Sequence, residues 1–151
     1  MKNLAALFVI AGTLLAATSV RAENWHKRLT PKQSADDMCS FAIKAEPVKT
    51  AQAFDDKAQK GEFLEFDVTV TPKGGPLHKD LRFSGEVRIF DGKDFISSSK
   101  VQMSERDGVL SFSFKVAARY AEKSGFLFAA TDIEGQGAHY WFYLRDFAPS
   151  K

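Results

Sequence analysis

Glu62-Phe63-Leu64-Glu65-Phe66-Asp67-Val68-Thr69-Val70-Thr71 is the stretch that decides the fold. Leu64, Phe66, Val68 and Val70 fall on one side, and Glu65, Asp67 and Thr69 fall on the other. A period of two built from β-branched and aromatic residues is the pattern of a strand with one buried face. Pro72-Lys73-Gly74-Gly75-Pro76 ends the run, because proline cannot donate to a ladder and glycine permits the reversal.

The same texture continues toward the C-terminus. Leu81, Phe83, Val87 and Ile89 alternate around Gly85, and Asp91-Gly92 reads as a tight turn. Phe95 to Val101 is weakly apolar and rich in Ser, as an edge strand would be. Asp107-Gly108 is a second turn. Leu110, Phe112, Phe114 and Val116 then alternate with Ser111, Ser113 and Lys115. Ala117 to Ser124 is a longer connection with room for one helical turn. Phe126 to Thr131 and Ala138 to Phe147 are the last two strands, joined by a turn over Asp132 to Gly137. Short alternating runs separated by turn signals predict an all-β sandwich.

Two stretches sharpen that expectation. "KGEFLEFDVTVTPKGGPL" resembles the opening of bacterial immunoglobulin-like domains, where a Gly-polar pair precedes a strand and a Gly-rich turn with Pro follows it. "SGFLFAATDIEGQG" is similar to their penultimate strand and its turn. The resemblance covers about Lys60 to Phe147. It implies an immunoglobulin-like β-sandwich of about seven strands without the antibody-type disulfide, and it implies no activity.

The N-terminal third reads differently. Leu4 to Ala17 is an uncharged apolar run behind Lys2, shorter than the ~20 residues that span a bilayer, and Val20-Arg21-Ala22 follows it. Residues 1–22 are therefore expected to be a signal peptide cleaved after Ala22, which sends the chain to the periplasm or outside the cell without an integral membrane segment. Residues 23–60 are expected to form a less regular N-terminal arm ahead of a sandwich over 61–151. In this arm Glu23 to Gln33 reads as an extended, mobile lead. Met38 to Glu46 reads either as a first strand or as a helix capped at Ser34, and Ala51 to Lys60 has the composition of a short helix.

Composition narrows the functional classes. Lys2 and Arg21 are two of the 21 basic residues, and all 19 acidic residues lie beyond the apolar run, so the processed chain is formally neutral. A neutral domain without a basic run is a poor match for nucleic acid. Cys39 is the single cysteine. It is a buried inert thiol, a partly exposed one, or the link of a Cys39-linked dimer. Catalytic patterns such as Gly-x-Ser-x-Gly, His-Glu-x-x-His and the phosphate loop do not occur, so no catalytic residue and no cofactor is assigned.

Aromatic residues are the informative surplus, with 14 Phe among them. The last strand is aromatic or amphipathic on both faces: Tyr140, Phe142 and Leu144 on one, His139, Trp141, Tyr143 and Arg145 on the other. Paired with the strand that carries Phe126 and Phe128, it predicts an outward patch of Trp141, Tyr143, His139, Arg145, Phe126 and Phe128 of the type found at interfaces. The alternative is that the N-terminal arm covers this face. The leading expectation is an exported, non-enzymatic module that binds a protein partner. The alternatives are a periplasmic copper-handling protein, drawing on Met38, Cys39, Met103 and His26, His78 and His139, and a carbohydrate-binding module that stacks sugar on Trp141 and Tyr143. A coplanar Trp-Tyr pair would favour sugar, and an open edge strand would favour a protein.

Overall fold

The computed structural model describes residues 25–48, 62–73 and 80–150. The predicted signal peptide and the helix expected over Ala51 to Lys60 lie outside these residues. The described residues form an all-β sandwich of two sheets. In chain order the strands are β1 (Trp25–Arg28), β2 (Cys39–Val48), β3 (Phe63–Pro72), β4 (Arg82–Asp91), β5 (Asp94–Val101), β6 (Met103–Arg106), β7 (Val109–Ala117), β8 (Gly125–Thr131) and β9 (Gly137–Tyr143). One sheet has the order β1-β9-β8-β4-β5 and the other β2-β3-β7-β6.

Where the alternation is cleanest, expectation and structure agree. Phe66, Val68 and Val70 of β3 are buried, with Leu110, Phe112 and Val116 of β7 beside them. Asp107 and Gly108 form the two-residue link between β6 and β7, both with positive φ (53° and 77°), the geometry of the favoured hairpin turn. The expected helical turn is a short 3-10 segment, Ala118–Tyr120.

The described residues hold nine strands rather than about seven. Residues Trp25–Arg28, expected to be part of a mobile lead, form β1 and pair in parallel with β9, Arg28 standing opposite Trp141. Four residues without alternation carry no strand signal of their own, and β1 is ordered by the open edge of β9. The Met38 to Glu46 ambiguity resolves as strand, because all ten residues of β2 pair with β3. β6 is a further strand, and its Ser-Glu-Arg composition hides it. The last strand stops at Tyr143 instead of running to Phe147. Leu144 is fully buried, its N–H donates to the Ser124 carbonyl (3.0 Å), and a 3-10 turn over Leu144–Asp146 follows.

The core is an aromatic stack between the sheets. The rings of Phe66, Phe114 and Phe126 lie nearly parallel, at 12° and 5°, and Phe112 meets Phe126 and Phe128 edge-on at 5.4 and 5.9 Å. Gly85 in mid-β4 permits this. A Cβ there would stand 2.6 Å from the rings of both Phe112 and Phe126, so the position holds a glycine because another sheet's ring occupies its side-chain space.

Asp36 ties the segment ahead of β2 to that core. One carboxylate oxygen accepts the N–H groups of Met38 and Cys39, each at 2.9 Å. The other accepts the Tyr140 hydroxyl (3.0 Å) and the Lys27 ammonium (3.4 Å). Partial burial is the largest single influence and pushes the Asp36 pKa up. The two N–H groups, Tyr140 and Lys27 together outweigh it, so the carboxyl titrates below its ordinary value. Cys39 is a free, buried thiol beside Tyr140. Loss of water raises its pKa to about 11, so it stays protonated near neutral pH.

Candidate binding site

Residues directly opposite each other in two strands share a face. Phe126 stands opposite Phe142, and Phe128 opposite Tyr140. All four are at most 1% exposed. Phe126 and Phe128 therefore belong to the core, which corrects their assignment to the outward patch. Periodicity shows which residues of a strand travel together, and the register with β9 decides which set turns inward.

The other four patch residues share the outer side of the five-stranded sheet. His139, Trp141 and Tyr143 are half-buried, opposite Ala129, Leu127 and Gly125 respectively, and Arg145 is exposed in the 3-10 turn beyond. The indole of Trp141 reaches diagonally across β8 and lies against Gly125, where a Cβ would come within 2.0 Å of it. Its edge meets Tyr143 at 87°. The guanidinium groups of Arg28 and Arg145 lie over the Tyr143 ring at 4.9 and 4.8 Å. Asp146 bonds Arg28 (2.9 Å) and approaches Arg145 (3.8 Å), which also reaches Glu122 (3.2 Å). The two aromatic rings are perpendicular and engaged with neighbours, so they do not form the coplanar platform that sugar stacking uses. β1 flanks this surface at the sheet edge, beside β9, so this part of the arm extends the sheet.

A different feature lies on the opposite edge. β5 belongs to the five-stranded sheet and β6 to the four-stranded one, so the chain crosses between sheets at Gln102. β6 is short and covers only Val109 to Phe112 of β7. Beyond it, Ser113 to Ala117 has β3 on one side and, among the described residues, no strand on the other. The Ala118 N–H donates to the Glu62 carbonyl at 3.0 Å, which fixes the phase of the ladder. Even-numbered residues of β7 bond to β3, so the backbone groups of Lys115 and Ala117 point to the open edge.

A cleft of about 370 Å³ opens beside this edge. Phe114 and Val116 form one wall, with Val87, Ile89 and Ile96 opposite. Phe63 and Tyr120 line it as well. β5 is itself an outer strand, exposed from Asp94 to Lys100. The β4–β5 register shifts between Ile89 and Phe90, leaving Ile96 without a partner in β4. Phe95 and Ile96 are 58% and 51% exposed, large apolar side chains on an open edge. Lys100 and Lys115 reach its rim, and among the described residues no carboxylate lines it. Chemically the site can pair a polypeptide backbone and bury apolar side chains.

Sequence reading missed this site. Its one trace was Phe95-Ile96 opening an otherwise Ser-rich strand. The copper alternative finds no support among the described residues, where no three His, Cys, Asp or Glu side chains are grouped to hold a metal ion. His78 lies outside them. Compared with family models, curated proteins and solved structures, the chain matches none.

Proposed function

We propose that this chain is an exported, non-enzymatic binding module that takes a segment of a protein partner by β-strand addition at the cleft between β5 and β7. One observation carries the reading: Ser113 to Ala117 is half of a core strand, yet among the described residues it has a sheet neighbour on one side only, and an apolar cleft lies along the other. An unpaired edge of this kind is a template for another chain. Main-chain hydrogen bonds then supply affinity, and pockets for alternate side chains supply selectivity. The Trp141 and Tyr143 surface is secondary in this reading, because its rings are already packed on Gly125 and beneath two guanidinium groups.

A photo-crosslinking amino acid in place of Ser99, which lines the cleft, tests the proposal against one in place of Lys44, exposed on β2. Protein from the exported fraction should form a discrete adduct through position 99 and none through position 44. The same adducts from both sites, or none from position 99, would remove the cleft as the binding site. Export itself is tested by intact mass. The mature species should begin at Glu23, and a major species retaining Leu4 to Ala17 would overturn that part.

A further inference from the structure

We infer, on the strand-addition reading, that the segment received by the cleft carries an apolar–acidic–apolar triplet. Phe114 and Val116 turn toward the cleft, and Lys115 between them turns to the outer face of the sheet. A strand paired to this edge places each residue on the same face as the one opposite it. Its residues opposite Phe114 and Val116 enter the space bounded by Val87, Ile89 and Ile96, where a polar side chain would lose water without gaining a partner. The residue between them stands opposite Lys115.

The charge on that outer face selects the middle residue. Lys115 is the charged residue of this edge. It stands between the incoming strand on one side and, on the other, Glu65 of β3, whose carboxylate accepts the Ser113 hydroxyl at 3.5 Å. An incoming Asp or Glu meets an opposite charge across the new ladder, and an incoming Lys meets a like charge.

Short capped peptides test this, with a Val-Glu-Val centre, a Val-Lys-Val centre, or the Val-Glu-Val residues scrambled so that the valines are adjacent. Binding is measured by calorimetry, and amide hydrogen exchange is followed at Lys115 and Ala117. The acidic peptide should bind about fivefold more tightly than the basic one, the scrambled one should be weaker still, and both amides should gain protection. In Lys115→Glu the preference should reverse. Equal binding of acidic and basic peptides with the amides protected would overturn the triplet and leave strand addition standing. A preference that persists in Lys115→Glu would overturn the placement of the acid. No protection with any peptide would remove strand addition and this inference together.

Discussion

Gly125→Ala isolates the packing of Trp141. The added Cβ would stand 2.0, 2.4 and 2.6 Å from three atoms of the indole, so something must move by more than an ångström. The backbone is not free to yield. β8 is paired on both sides, to β4 and β9. Ser124, next to Gly125, is fully buried and held at three points: its N–H donates to the Tyr120 carbonyl (3.2 Å), its carbonyl accepts from Leu144 (3.0 Å), and its hydroxyl oxygen accepts from Phe90 (3.0 Å). The indole must therefore lift off the sheet. Overpacking of this kind costs about 1–3 kcal/mol, a sizeable share of the 5–15 kcal/mol typical of a domain. Urea denaturation followed by far-UV circular dichroism measures the cost. With Trp25 replaced by Phe, Trp141 is the only tryptophan, and its emission should shift to the red. The decisive arm is a double-mutant cycle. In a Trp141→Ala background most of the Gly125→Ala cost should vanish, giving a coupling of about 1–3 kcal/mol. A cost below about 0.5 kcal/mol, or one that is unchanged without the indole, would refute this account of how the outer face is built.

Two further outcomes are expected. Phe112→Ala, which empties the space between Phe126, Phe128 and Gly85, should cost about 3–5 kcal/mol in chemical denaturation, and a loss below about 1 kcal/mol would mean that the aromatic stack is not the core it is taken for. Asp36 titrates below its ordinary 3.8 in the folded chain, so its contribution is fully present above that value and is lost as pH falls through and below it. Acid unfolding should consequently be shallower in Asp36→Asn, whose stability at neutral pH is lower from the outset, and an identical acid profile for the two proteins would show that the Cys39 and Met38 N–H groups, Tyr140 and Lys27 do not hold the carboxylate.

Local pattern determined much of this protein. Alternation in residues 64–71 and 110–116 set which side chains travel together, and volume and polarity then left only one face to bury, since Glu65, Asp67 and Ser113 cannot enter a core unpaired. Asp107-Gly108 determined a hairpin because the turn needs two residues at positive φ. Where both faces of a strand are apolar, that logic has no purchase. Phe126 and Phe128 turn inward because register places them opposite Phe142 and Tyr140, and Trp141 stays half-buried on the outside because Gly125, a strand away, has no side chain beneath it. β1 exists because β9 offers an edge to pair with, a property of the sheet and not of Trp25–Arg28. The cleft is more remote still from sequence. It follows from the chain changing sheets at Gln102 after β5 and from β6 stopping short along β7, so that among the described residues Ser113 to Ala117 is left with one neighbour. Periodicity is a local quantity and records which residues share a face. Which strand lies beside which, and where an edge is left open, is settled only when the two sheets close on each other.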